Sequence, residues 1–186
     1  MKRIKLRFES MQQVAGGDGM GVILLTDMQR MRAITVVCDE AMMQQMLLRM
    51  RSPKLCRTLL PEALLSLLPS TYEMMVFGLY QGQYQVVLMD EHGESARLRI
   101  SDAVLLTMMS DIPLYIEESL MSRQSTPFDE TATGIAIPIN TMDVPRLKMA
   151  LQQAIDNENY ELASQLRDEI QRRSSRSFSS STTTTL

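Results

Sequence analysis

The chain has 186 residues, of which 45% are hydrophobic and 22% charged, with a formal net charge of -3; that suffices for one globular domain and a small appendage and excludes a wholly disordered or collagen-like chain. The longest apolar stretches, Gly21 to Thr26 and Leu59 to Leu68, fall far short of the roughly 20 residues that span a bilayer, so no membrane association is expected. The single histidine, His92, excludes His-rich metal centres, and the acidic balance excludes a chain that is basic overall, as dedicated nucleic-acid binders are.

The N-terminus, Met1 to Phe8, alternates charged and apolar residues instead of entering an apolar run, so a signal peptide is not expected. Cys38 and Cys56 stand alone, without a CxxC, and read as small core hydrophobes in a reducing, cytoplasmic setting. Residues 2 to 9 place Ile4, Leu6 and Phe8 on one strand face and Arg3, Lys5, Arg7 and Glu9 on the other. A glycine turn at Gly16 to Gly19 leads to strands at 21–26 and 33–38, and connections this short predict a three-stranded antiparallel meander. That glycine segment lacks the Lys-Ser/Thr of a phosphate-binding loop, so it reads as a turn and not as a nucleotide cradle.

From Asp39 the period becomes helical. Met43, Met46, Leu47 and Met50 share a face over 40–50, with Asp39 and Glu40 suited to the first turn. A second helix is expected over 59–68, with Pro61 in its first turn and Pro69 beyond its end. A hairpin follows, 72–80 and 83–89 across Gln81-Gly82, then a turn holding His92 and a strand over 96–100. Ser101 is placed to cap a third helix, 101–110, before a short strand at 113–116 and a helical piece at 117–123. The 17 methionines read as adaptable core filler, chiefly Met43, Met46, Met50, Met108 and Met109. The fold class expected is α+β, with antiparallel or mixed strands, two central helices and a third, followed by a helical hairpin.

Residues 124 to 143 read as a linker with one apolar run, Ile135 to Ile139, and residues 174 to 186 as a disordered Ser/Thr tail. Between them, 144–173 form two amphipathic helices: Leu147, Leu151, Ala154 and Ile155 stripe the first, and Tyr160, Ala163, Leu166 and Ile170 the second, around the polar reversal Asp156 to Asn159. Ala154-Ile155, Glu158, Tyr160-Glu161 and Leu166-Arg-Asp168 closely resemble the UVR motif of bacterial nucleotide-excision-repair proteins; Ser164 departs from the usual alanine. The resemblance implies pairing with another such hairpin. Leu147, Leu151, Ala154, Tyr160, Ala163, Leu166 and Ile170 are the expected partner-binding residues, and a homo-oligomer or a complex with another UVR protein is the expected assembly. A generic helical hairpin accounts for the Leu/Ala spacing equally well.

Residues 1–123 are similar to the bacterial bifunctional nuclease family, credited with DNase and RNase activity. The likeness lies in Thr35-Val-Val-Cys-Asp-Glu-Ala41, Ser101-Asp-Ala-Val-Leu-Leu106 and Ile112-Pro-Leu-Tyr-Ile-Glu-Glu118. The family's Thr-His-Asp-Leu segment is replaced by Leu55-Cys-Arg-Thr-Leu59, its Asp-Ser-Arg-Pro run is shortened to Arg97-Leu-Arg-Ile100, and the glycine of its first turn is missing. What the resemblance implies is phosphodiester hydrolysis, which needs an activated water and a cationic group for phosphorane charge. The catalytic candidates are Asp102, Glu40 and Ser101; Asp39, Glu40 and Asp102 are the candidate ligands for Mg²⁺ or Mn²⁺, provided the two helix starts meet. The same residues fit equally as helix caps and first-turn acids. Arg97, Arg99 and Arg57 are the candidate contacts to DNA or RNA, or else part of a solvated face. Two functions therefore stand side by side: a metal-dependent nuclease with an interaction hairpin, and a catalytically degenerate adaptor or nucleic-acid-binding module.

Overall fold

A computed structural model describes residues 2–13, 20–67, 71–130 and 138–179. The glycine turn at 16–19, the Pro69 stop, residues 135–137 of the apolar run and the tail from 180 onward lie outside the described residues. The architecture is α+β: an eight-stranded sheet with helices, then a helical hairpin. The chain forms two compact units, one of residues 1–80 and 84–137, the other of 81–83 with residues from 138 on.

The sheet contains β1 (Arg3–Gln13), β2 (Gly21–Asp27), β3 (Arg32–Cys38), β4 (Glu73–Tyr80), β5 (Gln83–Met89), β6 (Ser95–Arg99), β7 (Leu114–Glu117) and β8 (Thr126–Pro127), in the order β6-β5-β4-β7-β1-β2-β3-β8. β1, β2 and β3 form the antiparallel meander expected from their short connections, and β7 returns between β1 and β4, antiparallel to the first and parallel to the second. The β2–β3 turn is tied by Asp27, whose carboxylate accepts from Met31 N at 2.8 Å and Arg32 N at 3.0 Å. Gln81 (φ 50) and Gly82 (φ 84) both take the left-handed conformation that a two-residue hairpin connection requires, and glycine adopts it without a Cβ clash. The segment expected as a plain linker contributes β8, paired with β3 through Arg32 and Ala33.

Registers place one row of apolar side chains across the sheet. Met74 and Val76 stand beside Leu114 and Ile116, these beside Leu6 and Ile4, and Phe8 faces Leu25, which pairs with Ile34. This face, with Met42, Met43, Met46, Ala103 and Val104 from the helices, is the core. The helices of the larger unit are α1 (Glu40–Arg51), α2 (Pro53–Cys56), α3 (Leu60–Leu65), α4 (Ile100–Met109) and α5 (Glu118–Gln124). Cys38 and Cys56 are buried free thiols, as their apolar neighbourhoods imply.

Four boundaries and faces differ from expectation. The helix expected over 59–68 is the short α3, preceded by the one-turn α2. The buried face of α1 is Met42, Met43, Met46 and Arg49, and at 100° per residue Met50 lies beyond the edge of that stripe and is exposed. α4 begins at Ile100 with Arg99 at the N-cap position and no side-chain cap, which puts Ser101 inside the first turn and buries it. In the smaller unit, a 3-10 turn (Ile139–Thr141) precedes α6 (Val144–Asp156) and α7 (Tyr160–Ser179). α7 thus extends beyond Arg173 into the expected tail, because the Ser174 and Ser175 hydroxyls donate to the Ile170 and Gln171 carbonyls at 3.0 Å, four residues back, without breaking the helix.

Candidate functional site

The starts of α1 and α4 do meet, and what joins them is an arginine. Asp39 is the N-cap of α1: its Oδ1 accepts from Met42 N at 2.7 Å. Its other oxygen lies 3.6 Å from Arg99 Nη1. Asp102, in the first turn of α4, accepts two parallel bonds from Arg99, 2.6 Å from Nε and 3.0 Å from Nη2. The guanidinium is held protonated first by that hydrogen-bonded carboxylate and then, at longer range, by Asp39. Glu40 is exposed beside Asp39, and the Ser101 hydroxyl is buried. Among the described residues no three His, Cys, Asp or Glu side chains are grouped as a metal ligand set. The carboxylates nominated for a cation are brought together, and Arg99 stands between two of them.

This cluster is solvent-facing, with Arg99 at 65% and Asp102 at 34% side-chain exposure, so its electrostatics are screened. Arg99→Ala is expected to cost about 0.5–1 kcal/mol, with the loss shrinking as salt is raised. Urea denaturation at two ionic strengths measures it. A salt-independent loss above about 2 kcal/mol would contradict the surface-pair account.

Of the other predicted cations, Arg97 is exposed on β6, opposite Val87 of β5, and Arg57 is exposed at the end of α2. Among the described residues neither makes a hydrogen bond or ion pair to the helix-start cluster, whereas Arg99 has turned into it. His92 sits in the β5–β6 turn, as expected, where Asp90 accepts from the backbone of His92 and Glu94.

Sequence reasoning missed the most densely connected polar group of the larger unit. β1 and β2 slip register between Phe8 and Ser10, a bulge at Glu9. A strict alternation would leave Glu9 in solvent; instead its side chain is 12% exposed and pairs with Arg30 Nη2 at 2.6 Å while accepting from Thr26 Oγ1 at 3.2 Å. Arg30, at φ 55, also reaches Glu130 at 3.1 Å and lies over the Phe128 ring at 5.0 Å. Bulges have no single-sequence signature beyond a polar residue in an apolar register, so nothing flagged this group.

In the smaller unit, Leu147, Ala154, Ala163 and Leu166 are buried against one another, with Leu151 and Ile170 packed onto them. These residues, expected to receive a partner, are the hairpin's own interior: two seven-residue seams facing across a short turn saturate each other. Tyr160 is the exception, at 69% exposure, and Met149, Ile155 and Leu162 are exposed with it. The reversal caps the end of α6: Asn159 N donates to Ala154 O at 2.8 Å and Glu158 N to Ile155 O at 3.0 Å, the six-to-one and five-to-two bonds of a Schellman cap. Glu158 holds the left-handed position, φ 56, that glycine usually takes. An open groove of about 490 Å³ beside α7 is lined by Ile139, Asn140, Gln165, Asp168, Glu169 and Arg172, whose mixed charges favour neither anion nor cation.

A family model described as the UvrB/uvrC motif matches residues 144–172, the span of α6 and most of α7. The hairpin expected from the Tyr-Glu and Arg-Asp placements is therefore found where it was read. The match does not extend to the α+β unit, for which the comparisons bring no support for a bifunctional nuclease domain. No curated protein matches the chain. No helix among the described residues is long and apolar enough to cross a membrane.

Proposed function

We propose that the protein is an interaction module that engages another protein through its UVR hairpin, and that its α+β unit, despite the resemblance to bifunctional nucleases, does not hydrolyse phosphodiesters. The observation that carries the second half is Arg99. Asp102 is the carboxylate on which hydrolysis would turn, and both its oxygens accept from the Arg99 guanidinium. A group so engaged is neither an open metal ligand nor a free base for water. The replacement of the family's His and Asp by Cys56 and Arg57 points the same way, since Cys56 is buried with its thiol directed to the Ser52 carbonyl at 3.4 Å.

The turn of the hairpin favours a protein over a nucleic acid. Its exposed apolar side chains at the turn, Ile155, Tyr160 and Leu162, are interleaved with Asp156, Glu158 and Glu161. Phosphate backbones are bound by cations and repelled by such a surface. The test is a cleavage panel on single- and double-stranded DNA and RNA with Mg²⁺, Mn²⁺ or EDTA. Wild type is expected to match the EDTA control throughout; metal-dependent cleavage that vanishes in Asp102→Ala would establish the nuclease reading in its place.

A further inference from the structure

α3 packs Leu65 on the core but turns other leucines outward. Leu60 and Leu64, with Leu67 just beyond the helix end, recur at helical spacing, yet they are 71%, 54% and 80% exposed, while the carboxylate of Glu62 points inward. α2 adds Leu55, 73% exposed, and the last turn of α1 adds Met50. An apolar helix stripe turned to solvent has no folding rationale, because it forgoes the stabilisation that burying leucine side chains supplies. It is the signature of an interaction surface. Within the same stretch Arg51, Lys54 and Arg57 are exposed and make no ion pair among the described residues. The one acid, Glu62, is buried against Arg49 at 2.8 Å. The exposed charges of residues 50–67, the stretch that carries these leucines, are therefore all cationic.

The turn of the α6–α7 hairpin is its chemical complement: Ile155, Tyr160 and Leu162 exposed, bordered by Asp156, Glu158 and Glu161. Glu158 supports a binding role independently. It occupies a left-handed position, φ 56, where glycine avoids the Cβ penalty, and it makes no side-chain bond among the described residues that would offset this. A charged residue kept at such a cost is placed for what it touches outside the hairpin.

We infer that the leucine face of α3 is a docking surface for the hairpin turn of a second copy of this chain, three cations meeting three carboxylates around an apolar centre. This rests on the interaction role proposed above and names its partner. The arrangement gives each copy one donor surface and one acceptor surface, so two copies close reciprocally or extend head to tail.

The experiment uses two charge reversals in the full chain, Arg51→Glu with Arg57→Glu on the face and Glu158→Arg with Glu161→Arg on the turn. All four positions are exposed, and Glu158→Arg leaves a non-glycine residue at the strained position, so circular dichroism and melting are expected to be unchanged. Sedimentation velocity over a concentration series should show association of wild type that weakens with salt. Each reversal alone should raise the dissociation constant roughly tenfold or more, by placing like charges opposite one another. An equimolar mixture of the two reversals should recover association, because every acidic surface again meets a basic one. Wild type that stays monomeric, a mixture that stays monomeric, or a turn reversal that associates as wild type does would each overturn the docking. Metal-dependent cleavage lost in Asp102→Ala would remove the non-catalytic reading and leave the docking result standing, so the two failures are distinguishable.

Discussion

Arg173→Ala is expected to destabilise the C-terminal unit by about 2–4 kcal/mol, more than any surface substitution in the hairpin. The guanidinium is buried, and it closes the unit at a point the α6–α7 seam does not reach. Nε donates to Glu169 at 2.7 Å, Nη1 to the Met142 carbonyl, and Nη2 to the Asn140 carbonyl at 3.1 Å and the Ile139 carbonyl at 3.4 Å. One side chain on the fourth turn of α7 thus fastens the 3-10 turn and the entry to α6 onto α7. Truncation removes the arginine donor from each of those carbonyls and leaves Glu169, 11% exposed, with Arg172.

A unit of some forty residues is marginal to begin with, so a loss of this size removes most of its stability. Hydrogen exchange is the measurement: α6 and α7 amides should lose protection while β1, β2 and β7 keep theirs. Arg173→Lys should recover only part of the loss, since an ammonium cannot reproduce the planar fork that reaches four acceptors. Unchanged protection in α6 and α7 of the alanine variant would show that the seam of Leu147, Ala154, Ala163 and Leu166 holds the unit alone.

Much of this architecture was legible because its signals are local. The alternation of Ile4, Leu6 and Phe8 marks β1, Gln81-Gly82 marks the β4–β5 connection, and Asp39 and Asp143 cap α1 and α6 as their side-chain types imply, the latter accepting from Arg146 N at 3.0 Å. The hairpin was legible at the level of a motif. What stayed hidden depends on partners distant in sequence or on direction. That Leu60, Leu64 and Leu67 face outward cannot be read from their spacing, which only says that they share a side. The bulge at Glu9 and its pairing with Arg30 follow from a register slip with no local mark. At the helix starts, two of the three residues read as metal ligands, Asp39 and Asp102, both face Arg99, read as a phosphate contact. A basic residue three positions before an acid on a helix start was available as a warning, since that spacing favours exactly such a pair.

The buried pair between Arg49 and Glu62 supplies the second large effect. Arg49 lies at the core face of α1, 4% exposed, with Nε 2.8 Å from Glu62 Oε1; its Nη1 donates to the Gln45 carbonyl at 3.1 Å and to the Gln45 side chain at 2.8 Å. The ion pair is close but not aligned as a hydrogen bond, and neither Glu62 oxygen has another partner. Two charges taken from water for one misaligned contact contribute little net stability, while either charge left alone is costly. Glu62→Ala is therefore expected to destabilise the α+β unit by about 3–5 kcal/mol, whereas Arg49→Met combined with Glu62→Leu should be neutral or more stable than wild type. Urea denaturation of the two single variants and the double variant gives the coupling directly. Glu62→Ala costing under about 1 kcal/mol would mean that water reaches Arg49 and that the pair is not a buried one.

The same cycle bears on function, because this pair is what fastens α3 to α1 with its leucines outward. If α3 is anchored by apolar contact as well as by charge, the double variant keeps Leu60 and Leu64 presented and should self-associate as wild type does, while Glu62→Ala should lose association together with stability. A double variant that is fully folded but monomeric would mean that the ion pair sets the orientation of α3 and not merely its attachment.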